Sequence, residues 1–290
     1  MRKASTSRRQ LLQGFAGAAG LAAGAIPLLT GSRAAFAQTA PGNAGASGGG
    51  LSAAGTSGDG SLDTRISSIG LTERVRVLRG TPGNVVALTA GDGTVLVDSG
   101  AVDLSAALAA EIGDTPVTTL FNTHYHADQT GGNAFFAGSG ATIHAHRITR
   151  QWLSADYYVP SEDRWVAAPL SAARPTETFR ERGEMRAGDE TIEYGYLLEA
   201  HTRGDIYVFF RDANVLAVGD VASPERDPVH DWYAGGWLGG RVDALDDLLE
   251  LADTDTRIVP AYGPVMSRAE LESERDMMWH LYERTAELVN

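Results

Sequence analysis

Three potential metal ligands fall within five residues of one short segment, Phe121-Asn122-Thr123-His124-Tyr125-His126-Ala127-Asp128-Gln129-Thr130-Gly131-Gly132-Asn133. In extended backbone, residues i and i+2 point the same way. His124 and His126 can therefore grip one ion while Asp128 continues along that side. The apolar run Val117 to Asn122 before the segment reads as a strand, which makes Thr123 to Gly132 a polar loop at its carboxyl end. Chemistry is expected there. His144 and His146 also alternate, but on a strand face where they read as core or rim histidines rather than ligands. His280, in a helical stretch, reads as surface or packing. No cysteine occurs, so thiolate ligands, disulfides and a cysteine nucleophile are excluded.

The histidine segment resembles the H-x-H-x-D-H signature of the metallo-β-lactamase fold superfamily, often continued by T-G-G-N. Other blocks resemble the family in the same order. Leu96-Val97-Asp98-Ser99-Gly100 is similar to the strand end whose aspartate buttresses the site, and His201-Thr202-Arg203-Gly204-Asp205 to the H-T-x-G-D block carrying the third histidine. Val218-Gly219-Asp220 resembles the strand that ends in a metal-bridging aspartate, and Pro260-Ala261-Tyr262-Gly263-Pro264 occupies the slot usually written P-G-H-G-P. The resemblance covers about residues 62 to 290. It implies an α/β (α+β) four-layer αββα sandwich with the site on one edge of its two sheets.

It also implies a site. His124, His126 and His201 would hold one zinc ion tightly, three imidazoles and a water being a suitable catalytic set. Asp98 would orient a ligand from behind. Where the family signature ends in His the chain has Gln129, and where the late block has His it has Tyr262. Both departures fall on ligands of a second ion, leaving Asp128 and Asp220 with an amide and a phenol. Such an oxygen-rich set would hold zinc weakly and could prefer manganese, magnesium or nothing. Gln129 and Tyr262 read equally as a decayed second site and as participants. The implied reaction is attack by a zinc-generated hydroxide on a small ester, thioester, lactone or amide-like bond. Asp128 would orient the water or take its proton, Asp220 would bridge to the metal or hold the water from the other side, and Tyr262 would donate to the oxyanion. Asp128 and Asp220 also suit a helix cap and a solvated strand end.

These groups must be positioned by elements that the hydrophobic pattern outlines. Strands are expected over Val75–Leu78, Asn84–Thr89 and Thr94–Asp98, with Pro82-Gly83 and Gly91-Asp92-Gly93 as turns. A helix follows over Leu104–Ile112, then strands Val117–Asn122 and Ala141–His146 and a helix over Arg147–Leu153. Residues Ser154 to Thr178 read as an irregular lid carrying Trp152, Tyr157, Tyr158 and Trp165 in or beside it. Further strands are expected over Thr191–Leu198, Ile206–Phe210, Val215–Val218 and Arg257–Pro260, with helices over Asp243–Leu251 and Ser267–Leu288. The glycine-punctuated loop holding His230, Trp232, Tyr233 and Trp237 reads either as a substrate-pocket wall or as aromatic packing over the sandwich edge.

The first 37 residues read differently. Arg2, Lys3, Arg8 and Arg9 precede an uncharged Ala/Gly/Leu-rich stretch, Ser7-Arg8-Arg9-Gln10-Leu11-Leu12 resembles the twin-arginine motif, and Ala35-Phe36-Ala37 suits signal peptidase. The expectation is export of the folded chain by the twin-arginine machinery, with cleavage after Ala37 and a periplasmic or secreted product; an uncleaved anchor and a Sec signal are the alternatives. Residues 38–61, nearly all Gly, Ala, Ser and Thr, read as a flexible linker, and 62–290 as the catalytic domain. The signal holds five basic residues and no acid, so its removal takes the formal net charge from −13 to −18. A chain so acidic is unsuited to nucleic acid or an anionic membrane. A small-molecule substrate is the expected partner. Three readings compete with the hydrolase: a non-catalytic periplasmic metal- or ligand-binding protein, a β-lactamase, and a diiron redox protein, the last weakened by the missing histidines.

Overall fold

The computed structural model describes residues 66–289, apart from 92 and 227. Strands β1 (Ser67–Gly70), β2 (Val75–Arg79), β3 (Val85–Ala90) and β4 (Gly93–Val97) form an antiparallel meander. Helix α1 (Ser105–Ile112) leads to β5 (Val117–Asn122), short helices α2 (Ala127–Thr130) and α3 (Asn133–Gly138), β6 (Thr142–His146) and α4 (Arg147–Trp152). A small hairpin, β7 (Tyr157–Val159) with β8 (Arg164–Val166), precedes β9 (Glu177–Phe179). The second round repeats the plan with a meander of β10 (Arg182–Ala187), β11 (Glu190–Tyr196), β12 (Ile206–Phe210) and β13 (Val215–Gly219), followed by α5 (Leu238–Leu251), β14 (Arg257–Pro260) and α6 (Arg268–Val289). One sheet runs β1-β2-β3-β4-β5-β6-β9, the other β10-β11-β12-β13-β14.

Period-two alternation explains the four layers. On β3, β4, β12 and β13, one set of side chains (Val86, Leu88, Val95, Val97, Ile206, Val208, Phe210, Val215, Ala217) meets between the sheets. The alternate set on the first sheet (Ala87, Leu96, Leu120, Ile143) packs on Leu108 and Ile112 of α1 and Phe136 of α3. That of the second sheet (Tyr207, Phe209, Leu216, Val218) packs on Val242, Leu245 and Leu248 of α5 and Leu271 and Met278 of α6. Central strands buried on both faces have to read as continuous apolar runs, and these do. The architecture is the αββα sandwich.

The pairing is parallel between β4 and β5 and between β13 and β14, so the carboxyl ends of all four strands open on one edge. Backbone bonds tie the two sheets together there, Ile206 N–H donating to the Thr123 carbonyl at 2.9 Å and Asn84 N–H to that of Ala261 at 2.6 Å. Four departures from the expected elements have physical causes. β1 and β10 are edge strands with exposed or alternating polar faces, so no apolar run marks them. The polar loop after β5 coils into α2 and α3. The expected lid contains β7, β8 and β9, each too short to show a period. Helix α5 starts at Leu238 rather than Asp243. Gly239 and Gly240 discourage a helix in isolation, but a Cβ at Gly240 would collide with the Glu199 carbonyl beside the site, so close packing selects glycine.

Candidate metal centre

Asp98 follows β4 and Thr123 follows β5, side by side because those strands are parallel. Asp98 adopts the left-handed conformation (φ 64°), uncommon for a residue with a side chain, and its buried carboxylate accepts from Thr123 N–H and Thr123 Oγ1, both at 2.8 Å. Thr123 Oγ1 also lies 3.1 Å from His124 Nδ1. With its own proton given to Asp98, that oxygen accepts from Nδ1–H, leaving the Nε2 lone pair of His124 facing the site. Asp98 thus orients His124 through a hydroxyl.

The other two histidines are held from behind as firmly. His126 Nε2 lies 3.0 Å from Asp231 Oδ2, and Tyr125 Oη donates to the same oxygen. His201 Nδ1 lies 2.9 Å from the Val229 carbonyl. That carbonyl also accepts from Nη1 of Arg241 at 3.1 Å; Arg241 is fully buried on α5, with Nη2 on Ser223 Oγ at 2.8 Å and 3.6 Å from Glu274. Asp205 accepts from Thr202 N–H and Oγ1 at 2.7 and 2.6 Å, folding the loop that carries His201.

The inward nitrogens converge. His126 Nδ1 is 3.1 Å from His124 Nε2 and 3.2 Å from His201 Nε2. Nitrogens at 2.0–2.1 Å from a common tetrahedral ion lie roughly 3.3 Å apart, so the spacing suits one divalent ion. Asp220, at the end of β13, joins them: its Oδ2 is 3.5 Å from His201 Nε2 and 3.7 Å from His124 Nε2, and ligand atoms of all four residues lie within 4.8 Å of one another. The donor set and its spacing fit a zinc-like ion, with each imidazole's outer nitrogen already engaged.

Electrostatics agree. Burial, reinforced by the neighbouring imidazoles, holds His124 and His201 well below the ordinary histidine value, so both present lone pairs at neutral pH. Burial pushes His126 down too, but Asp231 outweighs it through its hydrogen bond and charge, helped by Asp128 and Asp220, and the net shift is upward. Burial raises Asp98 to about 8, against the Thr123 hydrogen bonds, and Asp220 to about 6, with Asp128 adding repulsion. A negative cluster of this kind is relieved by a cation.

The remaining sequence candidates fall elsewhere. Asp128, half-buried on α2, is close enough for its charge to act on His126, Asp98 and Asp220 but lies outside the four-residue group. Gln129 is fully buried, with both amide atoms lacking a hydrogen-bond partner, and its amide packs against Gly83 where a Cβ would collide. Tyr262 is covered by the Arg226 guanidinium, 3.3 Å above its ring centre. Trp232 and Tyr233 line a cavity of about 400 Å³ together with Trp152, Tyr157, Asp156 and Arg203. None of the four residues that could hold an ion lines it; Tyr125, stacked on Trp152 at 4.8 Å and in ring contact with His126, stands between. His230 and Trp237 are not in its wall; Trp237 packs toward Tyr282 of α6. His144 and His146 pack on Phe121 and Tyr196 away from the cluster. Sequence reasoning missed Asp231, Arg241 and Arg226. Asp231 had one visible signal, an acid beside His230 in a loop already suspected.

The family described as Metallo-beta-lactamase superfamily matches residues 78–263. Among curated proteins, Metallo-beta-lactamase type 2 of Bacillus cereus is 23% identical over 205 residues, 68% of this chain and 73% of that protein. Metallo-beta-lactamase IND-1 of Chryseobacterium indologenes is 30% identical over 104 residues, 36% of this chain and 38% of that protein. Among solved structures, a metallo-beta-lactamase from Pontibacter korlensis superposes with a TM-score of 0.61 at 18% identity, covering 74% of this chain and 99% of that one.

Proposed function

The chain belongs to the metallo-β-lactamase superfamily, and on that premise we propose that it is a zinc-dependent hydrolase that works with one tightly held ion on a small ester, thioester, lactone or amide-like substrate. The observation that carries this reading is the convergence of His124 Nε2, His126 Nδ1 and His201 Nε2, each ring fixed from behind by a different partner. Bound there, zinc supplies Lewis acidity, which acidifies water and polarises a carbonyl. The protein does the rest. Asp220 completes the ligand group or holds the attacking water from the side of the second sheet. Asp128 receives the proton on its carboxylate and returns it to the leaving group. Asp98 and Asp231 keep the imidazoles in the tautomers the reaction needs.

The test is metal analysis of the purified chain together with a panel of chromogenic ester, thioester, lactone and β-lactam substrates. Zinc near one per chain with chelator-sensitive turnover supports the proposal. Zinc without turnover on any member would favour a metal- or ligand-binding protein on the same scaffold. A β-lactam turned over above the other classes would place the chain with its curated relatives in substrate as well as fold. Residues 1–37 lie outside the described part of the chain; export through the twin-arginine route is proposed from their sequence, and N-terminal sequencing of the protein from a periplasmic fraction tests it, with Gln38 expected first. Among the described residues no helix is long and apolar enough to cross a membrane.

A further inference from the structure

The outer hydrogen bond of His201 ends on a segment with little apolar anchorage of its own. Its acceptor is the Val229 carbonyl, and the Pro224, Glu225, Arg226 and Val229 side chains are all exposed. A loose acceptor could not fix a ring. Two buried side chains from the last two helices hold it instead. Arg241 of α5, with no exposure, divides its guanidinium between the two ends of this segment: Nη2 donates to Ser223 Oγ at 2.8 Å and Nη1 to the Val229 carbonyl at 3.1 Å. Glu274 of α6 accepts from Ser223 N–H at 2.7 Å and lies 3.6 Å from Arg241 Nη2. Just past the clamp, Asp231 N–H donates to the His201 carbonyl at 2.9 Å. Ring and main chain of His201 therefore both depend on where this segment lies.

We propose that Arg241 is a positioning residue for the metal centre: together with Glu274 it clamps the segment from Ser223 to Val229, and the Val229 carbonyl so fixed holds His201 with its proton on Nδ1 and its Nε2 lone pair turned toward His126 and Asp220. A buried ion pair gains little stability over apolar side chains of the same volume, so this one calls for a positional reason, and both neutral acceptors of Arg241 lie on the one segment. A carbonyl oxygen has two lone pairs, and here one serves the guanidinium and the other the imidazole. Only a planar fork presents two donors at a fixed separation; an ammonium would serve one acceptor and leave the other. Without the clamp, the carbonyl turns to water and a neutral His201 populates both tautomers. The form protonated on Nε2 has no lone pair to offer an ion. The inference rests on the reading of His201 as a ligand, and the experiment is chosen so that the two can fail separately.

Two measurements on the full chain test the clamp: nitrogen-15 NMR of the labelled histidine rings without metal, which reports each ring's tautomer, and zinc affinity by competition with a chelator. The arms are the unaltered chain, Arg241→Met, Arg241→Lys and Ser223→Ala, with an unchanged far-ultraviolet circular dichroism spectrum as the check on folding. The unaltered chain is expected to show His201 in the single form protonated on Nδ1. Arg241→Met should show a mixture of tautomers at His201 with His124 unaltered, and should bind zinc roughly 10–100-fold more weakly. Arg241→Lys should fall between the two. Ser223→Ala, half-buried and removing one acceptor only, should fold and weaken zinc by about three- to tenfold. The proposal is overturned if folded Arg241→Met keeps one tautomer at His201 and zinc affinity within about twofold, or if His124 changes as much as His201, which would mark a general loosening. Should Arg241→Met not fold, zinc affinity of Ser223→Ala within about twofold of the unaltered chain overturns it instead. The tautomers are read without metal or substrate, so the clamp can fail while the hydrolase reading stands, and a chain that turns over nothing can still show it.

Discussion

The two sides of this one edge differ in how their side chains are employed. On the side of His124, His126 and His201, each ring has one nitrogen on an acceptor and the other turned toward its neighbours. On the side of Gln129 and Tyr262, the amide is packed against a glycine and the phenol ring lies under a guanidinium. The first arrangement fixes lone pairs in space before any ion arrives. The second employs its side chains in packing.

The largest effect that would break this contrast comes from the complete side. His201→Ala should weaken zinc binding by more than about 100-fold, exceeding the ~10–100-fold typical of losing an outer partner, and should abolish turnover; metal analysis after dialysis reads it. Asp231→Asn, which leaves the ligand set intact and removes only the charge behind His126, should weaken zinc by roughly 10–100-fold. Zinc affinity in this variant equal to that of the unaltered chain would show that His126 needs no backing.

A smaller, pH-dependent effect follows from the buried acids. In the metal-free chain Asp98, Asp205 and Asp220 have folded pKa values raised to about 8, 7 and 6, each by burial first. Their contribution is complete below the unfolded value near 4 and is lost as pH rises through the folded value. His126, also raised, is lost in the same direction. His124 and His201, held low, oppose this only below about pH 6.5, where the unfolded chain takes up protons and the folded chain does not. Between about pH 6.5 and 8 the signs agree. The melting temperature of the metal-free chain should fall across that window, and saturating zinc should flatten the slope; a metal-free profile that rises with pH would contradict the assignment. The smallest effect expected is that of Tyr262→Phe, which keeps the ring that Arg226 covers. kcat should change by less than about threefold, whereas loss of an oxyanion donor costs roughly 100-fold or more.

How much of this was legible depends on distance along the chain. Central strands buried on both faces announce themselves as apolar runs, so β3, β5, β12 and β13 were readable almost to their ends. His124, His126 and Asp128 were readable because their spacing is local. His201, Asp98 and Asp220 became candidates only through the order of the blocks in which they sit. Asp231 meets His126 across 105 residues, and no local pattern reports such a contact. Arg226 and Arg241 were invisible for a related reason: a lone arginine in a loop or on a helix reads as surface, yet one covers Tyr262 and the other is wholly buried beneath the Val229 carbonyl. Trp237 shows the converse, since its glycine-rich neighbourhood suggested a pocket wall and the ring instead turns toward α6.

His126 and His201 are 75 residues apart, one carried by the loop after β5 of the first sheet and the other by the loop before β12 of the second. An ion gripping both would be a reversible crosslink between the two halves of the sandwich, and, were it the proposed zinc, its occupancy would add to stability by mass action, about 4 kcal/mol when the free ion exceeds its dissociation constant a thousandfold. On that proposal, a zinc-poor medium would release the clasp first, and amide exchange would quicken around residues 123–130 and 200–205 before the sheets beneath them open.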